Sequence, residues 1–586
     1  MKNIKRNLLF ILLSITVLSC SGRSHNPAPE ESPASSMELQ QSAAEPRLPN
    51  ILMVLIDDLG YTDLGIYGGD IDTPNMDALG KNGIVFSNAH VNPSCAPTRA
   101  SLITGKDPHK VGLGSQNGVA PPGIPSSRLG YKGSLEGEYT GLAEVLKDAG
   151  YDTFHVGKWH LGEEPHQSPG ALGFDHYFSL MDGAASHFSD GHGVGLSISP
   201  SGFATYMENG KQLESLPTNF YSTRNYTQWL LDALEEREEH DKPFFAYLAY
   251  TAVHDPLHAP EDLIMKYANL FSEGFEKLKD QRIHGLVREG LIADSSLVTR
   301  WLSGTPSWNE LTEKEQLDMT QRMAVYAGML EYLDQQIGRL VDRLQTSGEF
   351  DNTLIVIMSD NGAATVPRTF YARNVKELGW QDESYPLQSI EDYGKPDSFA
   401  TLGTYNAQAV SGPYFGFKAN LHEGGTRVPM IVKAPGSIQG TLNRDFVHIS
   451  DLYSTFADYA GVDISDQKDL VGCSLTPILK GRVGKVCHDE FGMGYMGWRA
   501  YWSGPWKLIF VSKSFGGTGN YALYNLEQDP GEVEDLSAQY PKKVAELAHK
   551  WQIYATANGI VDVPMDKVNE KYDGISHRLF DIYWGQ

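Results

Sequence analysis

Two long apolar runs in this chain both end abruptly on acidic or amide side chains. Leu48 to Ile56 is almost unbroken in hydrophobic character and stops at Asp57-Asp58-Leu59-Gly60. Asn352 to Met358 repeats the design and stops at Ser359-Asp360-Asn361-Gly362. Such continuity predicts central parallel strands buried on both faces, because a half-exposed strand would alternate. Pro243 to Tyr250 is a third run, followed by His254 in Thr251–Pro256. A fourth begins at Tyr151 and leads into Gly157-Lys158-Trp159-His160-Leu161-Gly162. Lys158 and His160 are two apart, so on extended backbone they project to the same side.

Helical periodicity separates these runs. Glu138 to Lys147 places Leu142, Val145 and Leu146 on one face, with Gly150 as its stop. Met323 to Gln345 carries Leu330, Leu333, Ile337, Leu340, Val341 and Leu344 on one stripe. The alternation across residues 48–470 predicts an α/β fold with a large, mostly parallel central sheet flanked by helices. Residues 262–320 are charged and helical in character and read as an insertion. Residues 485–586 shift to short aromatic strands, including Trp506 to Phe510, then a helix from Pro541. They predict a C-terminal subdomain, a small antiparallel sheet packed with a helix.

Composition narrows the partners. The chain has 586 residues and a formal net charge of −25, which argues against nucleic acid or any polyanion needing a basic footprint. Lys2, Lys5 and Arg6 precede an apolar run from Leu8 to Leu18, too short to span a bilayer. It ends Val17-Leu18-Ser19-Cys20, which resembles a bacterial lipobox. That resemblance implies a signal peptide over 1–20 and lipidation of Cys20; the alternative is a plain secretory signal. Residues 21–47, rich in Ser, Pro, Glu and Ala, read as a tether. Either reading places the protein outside the cytoplasm, as a lipoprotein of the periplasm or outer membrane or as a secreted protein. Contact with the membrane is then through a lipid anchor only. Spacing leaves open whether Cys473 and Cys487 pair.

In open α/β sheets the carboxyl ends of the strands line the ligand crevice. Delivering Asp57, Asp58, Asp360 and Asn361 to one rim would crowd three carboxylates, which resist common ionisation unless a cation sits among them. An all-oxygen donor set suits a hard ion, Ca²⁺ or Mg²⁺. Elsewhere, Pro97 suits the first turn of a helix. Cys95 would then lie near that helix's N-terminus, where N–H groups favour an anion, and Arg99 one turn in could offer a bidentate fork to an oxyanion.

The segment Asn92 to Gly105 contains Cys95-Ala96-Pro97-Thr98-Arg99 followed by Leu102-Ile103-Thr104-Gly105, and it resembles the signature of type I sulfatases. The Gly157–Gly162 string resembles a second sulfatase signature. Phe415 to Pro429, with Lys418 and Glu423-Gly424-Gly425-Thr426-Arg427-Val428-Pro429, resembles a third. The likeness covers roughly residues 48–560, is nearest to bacterial arylsulfatases, and implies an alkaline-phosphatase-like fold. It also implies that a maturation enzyme, either a formylglycine-generating enzyme or an anaerobic sulfatase-maturating enzyme, oxidises Cys95 to formylglycine (3-oxoalanine). The aldehyde hydrate would be the nucleophile. One Ca²⁺ would be held by Asp57, Asp58, Asp360, Asn361 and modified Cys95.

Lys158, Lys418 and Arg99 would bind the sulfuryl group, His160 would assist the nucleophile, and His254 the leaving group. Asp182, His187 and His258 would line the substrate rim, while Glu423 and Arg427 would hold their loop together. His90 and His109 have no such support and read as structural. The implied activity is hydrolysis of a small sulfated substrate, an aryl sulfate or a sulfated sugar. Related phosphatases generally carry His after the second Asp, so Asn361 favours sulfate and calcium. The rivals are a phosphate or phosphonate ester hydrolase on the same scaffold, or a lipid-anchored protein that only binds sulfated glycans.

Overall fold

A computed structural model describes residues 47–562 apart from 117–120, 122, 195–201, 295–297, 366–384, 388, 483–486 and 514–516. The signal-peptide and tether readings, Cys20 included, lie outside the described residues.

In chain order the large sheet contains β1 (Asn50–Ile56), β2 (Ile84–His90), β3 (Asp152–Lys158), β4 (His176–Leu180), β5 (Tyr206–Glu208) and β6 (Lys211–Gln212). It continues with β7 (Phe244–Ala249), β8 (Thr353–Ser359), β9 (Arg427–Lys433), β10 (Thr441–Asn443) and β11 (Val447–His448). Their spatial order is β10-β2-β9-β8-β1-β7-β3-β4-β5-β6, with β11 also on β2. The run β8-β1-β7-β3-β4 is parallel throughout; β9 is antiparallel to both of its neighbours.

The apolar continuity of the strands has a direct cause in packing. On β1, Leu52, Val54 and Ile56 enter one hydrophobic core, while Ile51, Met53 and Leu55 enter another on the opposite face. The same alternation holds on β8, where Ile355 and Ile357 oppose Leu354, Val356 and Met358. Both faces are dry, so neither side of the pleat has room for polar residues. Removing one such side chain to alanine costs about 2–5 kcal/mol.

The long helix runs from Glu313 to Thr346 rather than from Met323. Its N-terminus is set by a capping box in which the Thr312 N–H donates to Glu315 at 2.8 Å and the Glu315 N–H donates to Thr312 Oγ1 at 3.3 Å. The first ten residues carry little apolar surface, so periodicity alone did not reveal them. Residues 262–320 hold the helix Phe275–Arg288 and most of Glu261–Tyr267. The predicted Glu138–Lys147 helix occupies Leu142–Asp148.

Beyond the large sheet, β12 (Glu490–Tyr495), β13 (Trp498–Ser503), β14 (Trp506–Phe510) and β15 (Tyr521–Asn525) form a four-stranded antiparallel sheet. The helix Pro541–Asn558 covers one face with Leu547, Trp551 and Ala555. Cys473 and Cys487 are joined by a disulfide, with Cα atoms 5.9 Å apart. Among the described residues no helix is long and apolar enough to cross a membrane.

Candidate active site

The register of the central strands assembles the site. Ile56 of β1 pairs with Ser359 of β8, so Asp57-Asp58 and Asp360-Asn361 leave neighbouring strands side by side. The Asp58 N–H donates to Asp360 Oδ1 at 3.3 Å, and the Leu59 N–H to Ser359 Oγ at 3.0 Å. All four residues are fully or almost fully buried.

Three cations converge on the three carboxylates. Lys158, the last residue of β3, donates from Nζ to Asp57 Oδ2 at 2.5 Å. Lys418 donates from Nζ to Asp58 Oδ1 at 2.6 Å. Arg99 gives Nε and Nη2 to the same Asp360 oxygen, at 3.1 and 2.7 Å. The guanidinium fork is therefore engaged by Asp360 rather than left free for an oxyanion. Burial opposes the Arg99 charge, yet Tyr247, Asp360 and Asp57 carry its pKa above the ordinary range. Burial works against Lys418 in the same way, and Asp58 with its neighbours raises it. Asp360 is pushed upward, first by burial and then by Asp57. The expected repulsion among carboxylates is thus answered by fixed positive side chains, three against three.

Cys95 is the first residue of the helix Cys95–Thr104, after Ser94 in extended conformation, and its thiol is free and buried. The helix opens here because Pro97 lacks only an N–H that the first turn does not use. One ligand atom each from Cys95, Asp57 and Asp360 lies within 4.8 Å of the others, and the same holds for Asp57, Asp58 and His254. Asp57 Oδ1, Asp58 Oδ2 and Asn361 Oδ1 are buried acceptors with no hydrogen-bond partner. Leaving three such oxygens unpaired in a dry interior is costly, and a hard divalent ion would satisfy them together. The donor set therefore fits the implied metal.

The remaining expected residues meet at the same place. His160 follows β3 in the left-handed region (φ 57°), its Nδ1 buried and unpartnered. Burial, then Lys158 and Arg99, holds its pKa well below the usual value. His254 follows β7 on a turn pinned to β1 by Asp57 N–H to Ala252 O and Val253 N–H to Asp57 O, at 3.1 and 2.9 Å. Its Nδ1 donates to the Asp255 carbonyl at 2.6 Å, and its Nε2 faces Asp58 at 3.5 Å. Burial, then Lys418, lowers its pKa to about 3.

The Lys418 loop is held flush against the site by glycines. A Cβ on Gly362 would stand 1.9 Å from the Gly424 carbonyl, and one on Gly424 would stand 2.2 Å from that of Gly416. Ala419 N–H donates to Pro93 O at 2.6 Å, tying this loop to the cysteine segment. Glu423 accepts from Trp502 Nε1 and Lys507 Nζ at 2.9 and 2.8 Å, and Arg427 lies 3.5 Å from it. These contacts anchor the loop to the small sheet.

The rim expectation needs correction for two residues. His187 and His258 are buried, and their ring nitrogens are committed inside the protein. They face the polar backbone behind His254 and offer no atom to a ligand. Asp182 is half-buried near the site; burial lifts its carboxyl to about 7, against an N–H from Thr205 at 2.6 Å. His90 and His109 are buried structural residues, the latter bonded to Asp107 at 2.9 Å.

Two neighbours escaped the sequence reading. Tyr247 on β7 lies 3.4 Å from Arg99 Nη1. Tyr495, at the end of β12, reaches Ser94 and Gln116 beside Cys95. Nothing in the sequence separates either from the many tyrosines that merely fill core.

The buried histidines make acid stability a direct test. Burial lowers His90, His155 and His258 to about 3 and His187 to about 4, against an ordinary value near 6.5. Between those limits the unfolded chain binds more protons. Stability is therefore complete above pH 6.5 and lost as pH falls, by about 1.4 kcal/mol per unit for each histidine. Calorimetry from pH 7 to pH 4 should show Tm falling steadily; a flat profile would contradict neutral burial.

The sulfatase family model matches residues 49–462, and a model described as N-sulphoglucosamine sulphohydrolase, C-terminal, matches 414–553. An uncharacterised sulfatase of Schizosaccharomyces pombe is 36% identical over 545 residues, covering 90% of this chain and 97% of that protein. The arylsulfatase of Klebsiella aerogenes is 33% identical, covering 72% of this chain and 88% of its own length. A protein solved with its substrate, D-glucosamine-2-N,6-O-disulfate, shares the fold at TM-score 0.58 and 22% identity, covering 88% of this chain and 99% of that one. The chain belongs to the sulfatase family, on an alkaline-phosphatase-like fold. It is a sulfuric ester hydrolase.

Proposed function

We propose that the protein removes sulfate from sulfated carbohydrates, using formylglycine made from Cys95 and one Ca²⁺. The observation that carries this reading is the balanced, buried charge cluster beside Cys95: three cations, three carboxylates and three unpartnered acceptor oxygens. Asp57, Asp58, Asp360 and Asn361, with the side chain at 95, would hold the ion. When bound, it supplies Lewis-acid polarisation and two positive charges beyond the balance, which suits an anionic ester. The aldehyde hydrate would supply one hydroxyl for attack on sulfur and a second that, on losing its proton, reforms the aldehyde and breaks the C–O bond to the sulfate now carried by the first; a simple alkoxide would be left as a stable ester.

The chain's own residues do the rest. Arg99 holds Asp360 in place, and Asp360 is the buried carboxylate available to take a proton from the attacking hydroxyl. Lys158 and Lys418 bring ammonium groups to the sulfuryl oxygens as charge redistributes. His254 has its Nδ1–H committed to a carbonyl, so Nε2 is the atom that faces the departing oxygen, and it hands over a proton from the imidazolium form, once the ring has taken one up with the anionic ester bound. His160 assists release of sulfate. Export as a lipoprotein anchored through Cys20 fits scavenging of sulfated glycans, and an N-terminal lipid on the mature protein would establish it.

Side-by-side kinetics on aryl sulfate and aryl phosphate esters test the reaction class. Sulfate turnover should exceed phosphate turnover by orders of magnitude; dominant phosphate or phosphonate cleavage would reject the reading. Binding without sulfate release, from protein carrying formylglycine, would leave only a glycan-binding role. A panel of position-defined sulfated sugars then identifies the substrate class, and no turnover on any of them would reject the carbohydrate reading.

A further inference from the structure

The turn that carries His254 is held on the β1 side by the backbone of Asp57. On its other side stands a relay of two histidines. His187 Nε2 lies 3.0 Å from the His254 carbonyl, which can only accept, so Nε2 carries the proton. In the neutral ring Nδ1 is then bare and takes the Ser222 hydroxyl, 2.7 Å away. The His187 N–H donates to His258 Nδ1 at 3.4 Å, and His258 Nε2 donates to the Ser398 carbonyl at 2.8 Å. Tyr221 closes the relay with a hydroxyl bond to the His258 carbonyl at 2.8 Å. Each nitrogen has one role only, and the tautomers follow from carbonyls at both ends. All of these histidines are at least 95% buried, so solvent has little access to the His254 carbonyl if its donor is removed.

We infer that His187 is a positioning residue for the leaving-group step, fixing His254 through its main-chain carbonyl with the tautomer set by Ser222. The inference rests on His254 serving the departing oxygen. A carbonyl deprived of its buried donor rearranges toward another one, and displacement of a reacting group by about 1 Å is enough to cost about 10²-fold in rate. That loss should appear only where the leaving group needs a proton. A nitrophenolate departs readily without one, whereas a sugar alkoxide does not.

The test compares His187→Leu, His187→Gln, Ser222→Ala and His254→Ala on 4-nitrophenyl sulfate and on a sulfated monosaccharide that the wild type cleaves. Formylglycine content is matched by mass spectrometry. His187→Leu should lower kcat on the sugar sulfate by about 10²-fold and on the aryl sulfate by less than about 5-fold, with KM little changed. His187→Gln, which restores an N–H donor, should recover most of the difference. Equal losses on both substrates, or no rescue by Gln, would overturn the inference. Should His187→Leu not fold, Ser222→Ala decides: a selective loss of several-fold is expected, and an unselective or absent effect overturns it. His254→Ala separates the two levels. If it too is unselective, the role of His254 itself fails; if it alone is selective, only the His187 relay does.

Discussion

Replacing Cys95 by alanine is expected to lower kcat by at least about 10⁴-fold while leaving the fold and substrate binding close to the wild type. The side chain is buried, free and small, so its loss removes little packing. Arg99, Lys158 and Lys418 still hold their carboxylates without it. An electrostatic site that merely bound sulfate esters would notice the change little. A site whose chemistry passes through that carbon would lose almost everything. Binding of substrate by calorimetry, measured beside turnover, separates these outcomes; activity within tenfold of the wild type would contradict the assignment.

Asp360→Asn is expected to reduce kcat by about 10²–10³-fold and to lower stability. The carboxylate takes two hydrogen bonds from Arg99 and one from the Asp58 N–H, all buried. Asparagine preserves the shape but removes the charge, leaving Asp57, 3.9 Å away, as the only carboxylate partner of the guanidinium among the described residues. Breaking one member of a buried ion pair costs about 3–5 kcal/mol, the lone charge being the larger part of it. One anionic donor is also lost to the metal, so added Ca²⁺ should restore activity only in part. Scanning calorimetry with and without Ca²⁺, together with kinetics at saturating Ca²⁺, checks both effects. An unchanged Tm with activity within threefold would show that Asp360 is neither ligand nor partner.

Much of the site was legible because its residues sit where a strong pattern breaks. Asp57-Asp58 and Asp360-Asn361 stand out as polar ends of strands dry on both faces, and strand register alone brings them together. Lys158 and His160 stand out in the same way at the end of β3. Partnership was not legible. Arg99 at a helix N-terminus promised a fork for an oxyanion, and only the structure shows that fork closed on Asp360. His187 and His258 belong to loop sequences that read as the substrate rim. Their burial depends on Ser222, His254 and Ser398, contributed from distant parts of the chain. Lys507 and Tyr495 come from the small sheet, where periodicity predicts strands but not what those strands touch. The early start of the Glu313–Thr346 helix was visible in Thr312-x-x-Glu315, a signal carried by polar residues that a hydrophobic stripe ignores.

The most direct test of this chemistry is the mass of the peptide carrying residue 95, isolated from active protein made in its native host. Formylglycine in place of cysteine, in proportion to specific activity, is the expected result. An unmodified thiol in fully active protein would contradict it.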